Sequence, residues 1–200
     1  MVRVPGMTSA AEHDTPESGP LRDAWNPAQY EKFAAERAQP FWDLAALVED
    51  RPLERAVDLG CGTGVLAVLL ARANDGLTVT ATDESAAAVA SARATVAANG
   101  LEGRVVVVRA DGAGALEDDS VDLVLLNPPF HVGAAVHSGV AQTLFEDAAR
   151  VLRPGGELWA VWNSHLRYRP TLERVVGPTW QAGRDPKFTV TVSTRRAPTP

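Results

Sequence analysis

Five largely continuous apolar runs, at about 55–60, 77–83, 104–109, 120–126 and 156–162, alternate with segments of helical pattern at about 64–73, 85–98 and 139–152. Strands that carry apolar side chains on both faces need cover on both. The spacing therefore predicts an α/β fold, a mostly parallel sheet between two helical layers. Pro154-Gly155-Gly156 is expected to stop the third helix. A short helix near 170–176 follows, then strands around 178–183 and 188–194 that can pair as an antiparallel edge hairpin, bringing the sheet to seven strands. Two hundred residues, 46% of them hydrophobic, suffice for one domain with a sizeable core.

The first strand runs into Asp58-Leu59-Gly60-Cys61-Gly62-Thr63-Gly64-Val65, a loop with glycine at alternate positions that opens a helix. Glycine lets the backbone turn sharply and lets a ligand approach where a Cβ would collide. The spacing GxGxG is neither the GxGxxG of dinucleotide sites nor a phosphate loop with its Lys-Ser/Thr pair. A nucleotide-like ligand without a pyrophosphate fits it better. The next strand ends in Asp83, placed where a βαβ unit sets a carboxylate for ribose hydroxyls. Asp83 also suits the N-cap region of the following helix, and Ser85 could itself cap. The third strand leads to Asp111, which can accept an adenine amino group or serve as an ordinary turn residue. With Asp58, Gly60, Gly62 and Gly64, these acids describe a site for an adenosine-bearing cofactor at consecutive strand ends.

The fourth strand ends in Asn127-Pro128-Pro129-Phe130-His131. An amino group conjugated to a ring or carbonyl is a poor nucleophile, and a catalyst that alkylates it must accept its N–H bonds and hold its plane. Asn127 Oδ1 and the Pro128 carbonyl are acceptors, proline offers no competing N–H, and Phe130 can stack on a ring. The bland alternative is a strand followed by a proline-rich turn. A carboxylate substrate fits poorly, because it has no N–H for Asn127 to accept.

The glycine loop, Asp83, Asp111 and the Asn-Pro-Pro-Phe run, in this order, resemble the class I S-adenosylmethionine-dependent methyltransferases. Within them, residues from about Ala56 to Arg196 resemble the catalytic half of the bacterial ribosomal RNA (guanine-N2)-methyltransferases. The matching pieces are Thr82-Asp83-Glu84-Ser85 with Ala88-Val89-Ala90-Ser91, Asn127 to His131, Gly155-Gly156-Glu157-Leu158 with Asn163-Ser164-His165-Leu166, and Lys187-Phe188-Thr189-Val190. The resemblance implies a Rossmann-like fold and S-adenosyl-L-methionine as cofactor, held by Asp58, Gly60, Gly62, Gly64, Asp83, Asp111 and Asn127. Asn127, Pro128 and Phe130 would act on the acceptor, guanine N2 of ribosomal RNA, unstacked for the purpose. Relatives of this kind usually carry a second, degenerate domain before the catalytic one. A methyltransferase for a small molecule or a protein amide, and a cofactor-binding remnant without activity, are the competing readings.

Residues 1–24 are expected to form a disordered tail, 25–196 one methyltransferase domain, and 197–200 a short tail. Asn26-Pro27 is a helix start, with Asn as cap and Pro at the first position. That helix would carry Tyr30, Phe33 and Ala34 on one face and break near Pro40, with a second apolar helix from Phe41 to Val48, so that 25–54 covers the cofactor pocket. Trp25-Asn26-Pro27, Tyr30, Phe33, Ala35-Glu36-Arg37 and Pro40 are similar to the entry segment of the trans-aconitate methyltransferases.

Met1 to Asp23 holds no apolar run long enough for a signal or membrane segment, which points to the cytoplasm and to no membrane partner. The single cysteine, Cys61, cannot form an internal disulfide. His13, His131, His137 and His165 lack metal-site spacing, so no metal is expected, and only His131 stands beside the proposed pocket. Net charge is −6 but lopsided: 10 basic and 22 acidic residues precede Arg150, and 9 basic and 3 acidic follow from it onward. The final segment is a candidate phosphate-binding patch or simply a solvated surface.

Overall fold

The computed structural model describes residues 52–128 and 134–197, with side chains from 139 onward in the second stretch. The expected tail, the two cover helices, Phe130, His131 and the side chain of His137 lie outside these residues.

Seven strands form one sheet in the order β3-β2-β1-β4-β5-β7-β6. They are β1 (Arg55–Leu59), β2 (Thr78–Asp83), β3 (Val105–Arg109), β4 (Val121–Leu126), β5 (Leu152–Asn163), β6 (Thr179–Arg184) and β7 (Phe188–Thr194). β1 to β5 are parallel, and β7 runs antiparallel to both β5 and β6. The helices are α1 (Val65–Ala73), α2 (Ala86–Ala98), α3 (Ala134–Val151) and α4 (Arg169–Val175). This is the expected seven-stranded Rossmann-like sheet with its antiparallel edge.

The strands are apolar on both faces because each face has its own core. On one, Ala56, Val79, Ala81, Leu123 and Leu125 pack with Leu66 and Leu70 of α1 and Val89, Ala92 and Val96 of α2. On the other, Val57, Leu59, Val124 and Leu126 pack with Phe145 and Ala148 of α3 and Leu172 of α4. Alternation along each strand assigns neighbours to opposite cores. A one-residue slip would exchange the two sets.

Helix boundaries follow from local chemistry. α2 is alanine-rich, a strong helix composition, and Ser85 caps it by accepting from the Ala88 N–H at 3.3 Å. It ends at Asn99, with Gly100 at φ +66° supplying the left-handed stop. α4 starts at Arg169 with Pro170 in its first turn.

Two boundaries differ from the sequence reading. α3 begins at Ala134, five residues before the expected start, because the helix continues through Gly139. Strand β5 begins at Leu152, directly after α3, with no break over Pro154-Gly155-Gly156 ahead of it. Leu152 pairs with Val121, and the next matched pair is Glu157 with Leu123. The residues between bulge out of register, with Gly155 at φ +82°. The helix ends at Val151, within a residue of the expected stop, and Pro154-Gly155-Gly156 also kinks the strand that starts earlier than expected. Any Cβ at Gly156 would press on the Arg153 and Asp122 carbonyls, at 2.9 and 3.0 Å.

Candidate functional site

The strand register brings the sequence-marked residues into one row. Leu59 pairs with Thr82 on one side and with Leu126 on the other, so Gly60, Asp83 and Asn127 stand level at the carboxyl ends of three adjacent strands. Asp111 follows β3 at the same edge, since Asp83 pairs with Arg109. Open parallel sheets bind their ligands at this edge.

The glycine loop is tied to β2. The N–H groups of Gly60 and Cys61 both donate to the Thr82 carbonyl at 2.9 Å, and Gly64 N–H donates to the Cys61 carbonyl at 2.8 Å. Gly60, Gly62 and Gly64 have φ of +71°, +51° and +74°, a region that L side chains rarely enter. Their surroundings differ. A Cβ at Gly60 would meet nothing, whereas one at Gly64 would lie 2.9 Å from Ala92 Cβ, where α1 crosses α2. Gly64 thus permits the close helix contact that aims the start of α1 at the strand ends.

Asp83 clamps the loop. Its Oδ2 accepts from the Gly62 N–H at 3.0 Å and its Oδ1 from the Ser85 N–H at 2.9 Å. Asp83 therefore lies at the start of α2, as the capping alternative requires, while Ser85 is the cap itself. Each carboxylate oxygen keeps a lone pair for another donor.

Asp58 is buried at 3% exposure. Burial pushes its carboxyl up to about 7, the charge of Asp83 adds to the rise, and a hydrogen bond from the Ala67 N–H works against it. Burial likewise raises the Cys61 thiol, with Asp58 and Asp83 adding to the rise, so this cysteine stays a neutral loop residue. Among the described residues three buried side-chain atoms lack a hydrogen-bond partner, and two of them are Asp58 Oδ2 and Asn127 Oδ1. Both belong to adjacent strands at the ligand edge. Pro128, the next residue, is buried.

Asp111 is exposed in the turn after β3, where its carbonyl accepts from the Gly114 N–H. That turn is held by two residues that sequence reasoning does not single out. Thr82 Oγ1 donates to the Gly112 carbonyl at 2.9 Å, and Asp147 Oδ2 of α3 accepts from the Ala113 N–H at 3.0 Å. Asp147 is 34 residues away in sequence, and no local signal marks it. No group of three His, Cys, Asp or Glu that could hold a metal ion occurs among the described residues.

The sequence pattern of the methyltransferase small domain matches residues 44–192. This chain belongs to that family. It is 48% identical over 136 residues to the ribosomal RNA large subunit methyltransferase G of Streptomyces coelicolor, a match covering 68% of this chain and 36% of the relative. It is 37% identical over 161 residues to the ribosomal RNA small subunit methyltransferase C of Pseudomonas entomophila, covering 80% of this chain and 47% of the relative. The chain thus spans less than half the length of these relatives. Among solved structures it resembles the Thermus thermophilus 16S rRNA N2 methyltransferase in complex with AdoMet and guanosine. The TM-score is 0.65 at 30% identity, covering 90% of this chain and 45% of the other.

Proposed function

We propose that this chain is an S-adenosylmethionine-dependent N-methyltransferase whose acceptor is a planar exocyclic amine, guanine N2 of ribosomal RNA. The observation that carries the reading is the buried acceptor Asn127 Oδ1, which has no partner among the described residues, beside the equally unpartnered carboxyl oxygen Asp58 Oδ2 on the adjacent strand. A buried acceptor left unpaired costs about 1–3 kcal/mol, and a ligand bearing N–H groups removes that cost. The methyltransferase relatives and the guanosine-bound Thermus structure support the same choice of cofactor and acceptor.

Bound S-adenosylmethionine would supply a methyl group already activated by its sulfonium, so the chain's task is alignment. Asp83 would accept ribose hydroxyls with the lone pairs that Gly62 and Ser85 leave. Asp111 would accept the adenine amine from its exposed turn. Asp58 would ionise fully against a cationic group, since an opposite charge offsets the burial that now holds its proton. Gly60 and Gly62 keep the loop thin enough for close approach, while Gly64 lets α1 close on Ala92 of α2. Asn127 Oδ1 and the Pro128 carbonyl would fix the two N–H bonds of the acceptor amine, with Phe130 stacked on its ring. The nitrogen loses its proton only after it has become cationic, when it is strongly acidic, so no dedicated general base is needed.

No helix of the described residues is long and apolar enough to cross a membrane. A ribosomal RNA acceptor implies work in the cytoplasm. Labelled cofactor incubated with ribosomal RNA, assembled subunits and a metabolite extract tests the reading. Label should enter RNA; label confined to small molecules, or none transferred despite cofactor binding, would overturn the RNA assignment.

A further inference from the structure

The basic residues of the final segment do not form one patch. Arg150, at the end of α3, pairs with Asp118 at 2.8 Å and donates to the Leu116 and Ala113 carbonyls at 2.9 Å each, so its guanidinium is committed to the loop between β3 and β4. Arg153 pairs with Asp122 at 2.8 Å. Arg195 binds Asp119 and the Arg150 and Leu152 carbonyls, and Arg196 donates to the Glu173 carbonyl at 2.6 Å. These four hold chain ends together.

Arg167, Arg184 and Lys187 stand apart from these. Arg167 lies in the loop that leaves β5, while Arg184 and Lys187 flank the β6–β7 turn. All three are exposed. The turn is at the ligand edge because Asn163 pairs with Phe188 and Arg184 with Thr189. Ser164 joins loop to turn through the Asp185 carbonyl and Thr189 Oγ1, at 2.9 Å each. The one carboxylate within the turn, Asp185, accepts from the backbone N–H groups of Lys187 and Phe188, which fixes the turn's shape. Neighbouring Arg169 is paired with Glu173 at 2.9 Å.

Among the described residues the edge divides by charge: Asp58, Asp83, Glu84 and Asp111 lie over β1 to β3, where the one cation, Arg109, donates to the Glu84 carbonyl at 2.9 Å. Arg167, Arg184 and Lys187 lie over β5 to β6, with Asn127 between. Strands are spaced by about 4.8 Å, so the basic turn lies roughly 15 Å from the end of β4. The carboxylate half suits a cationic cofactor and the basic half a polyanion.

We infer that Arg167, Arg184 and Lys187 form a phosphate-binding rim that grips the RNA strand flanking the guanine presented to Asn127. The inference rests on the guanine-N2 reading above. It assigns RNA binding to two short segments of the catalytic fold itself, and leaves Arg150, Arg153, Arg195 and Arg196 out of it.

The test uses the full chain, labelled S-adenosylmethionine and transcribed 16S and 23S ribosomal RNA. The R167Q/R184Q/K187Q variant should raise KM for RNA by about 10-fold or more with kcat within about 2-fold. The slope of log affinity against log salt should become shallower by about 2, since each phosphate no longer neutralised removes roughly 0.7. Cofactor affinity should match the wild type, which also shows that the fold is intact. R55Q/R72Q/R174Q removes the same charge from exposed positions at the far end and should change neither KM nor slope. Unchanged KM and slope in the first variant, or equal losses in both, would overturn the rim. A wild type that methylates neither these RNAs nor assembled subunits would overturn the guanine-N2 reading along with it, and the wild-type assay alone shows this.

Discussion

Asp83 holds Gly62: the carboxylate at the end of β2 accepts from the backbone N–H of the glycine loop 21 residues earlier, at 3.0 Å, while its other oxygen takes the Ser85 N–H. One side chain thus sets the loop and the start of α2 together. Asp83→Ala leaves both donors without this partner and should destabilise the protein by about 1–3 kcal/mol. It should also weaken S-adenosylmethionine binding by roughly 1.5–3 kcal/mol if Asp83 holds the ribose, as loss of charge-assisted bonds does. Denaturant unfolding reads the first effect, calorimetry on the still-folded fraction the second. Unchanged affinity would leave Asp83 a structural clamp only.

Gly60 and Gly64 share a left-handed backbone but differ in space. Gly60→Ala should cost about 1–2 kcal/mol, the conformational strain alone. Gly64→Ala should cost more, with a further ~1–3 kcal/mol from overpacking against Ala92. The double variant G64A/A92G should recover part of that excess in urea unfolding. A Gly64→Ala protein no less stable than Gly60→Ala would show that the approach of α1 to α2 does not depend on Gly64.

How much of this is legible in the sequence depends on the range of the cause. The apolar runs and Ser85 act locally, so β1 to β4, β7 and the start of α2 fall where the pattern puts them, within a residue or so. The start of α3 and the start of β5 are misplaced by about five and four residues, because helix continuation through Gly139 and the pairing of Leu152 with Val121 are decided by packing and sheet register. The row of Gly60, Asp83 and Asn127 is implied by their strand-end positions. The division of the basic residues is not, since Arg195 meets Asp119 across 76 positions, a partnership only the fold creates.

The raised carboxyl of Asp58 makes stability depend on pH. Its folded value is about 7 against an ordinary 3.8, so the native state keeps a proton that the unfolded chain releases. This group's effect on stability is absent below about pH 4, grows more unfavourable as pH rises toward 7, and levels off above it. Asp58→Asn should abolish that part of the slope, matching the wild type near pH 4 and exceeding it at pH 8 in the cofactor-free protein. Urea midpoints at the two pH values decide it; parallel curves for the two proteins would contradict a buried, protonated Asp58.

Asn127 separates chemistry from binding. Asn127→Ala should keep the fold while lowering methyl transfer at saturating cofactor by about 100-fold or more, as removal of one positioned polar group does. Asn127→Asp should retain more activity than Ala, because a carboxylate still accepts N–H bonds and favours a cationic amine. Single-turnover rates at saturating cofactor make the comparison. Equal rates in all three proteins would release Asn127 from the acceptor site.

Methylation of an exocyclic amine is decided by the identity of the modified nucleoside. Ribosomal RNA labelled by the wild-type protein is digested to nucleosides and separated against standards. The label should co-migrate with N2-methylguanosine and disappear from that position in Asn127→Ala. Label in a ribose-methylated or ring-carbon-methylated nucleoside, or in guanosine alkylated at a ring nitrogen, would contradict it.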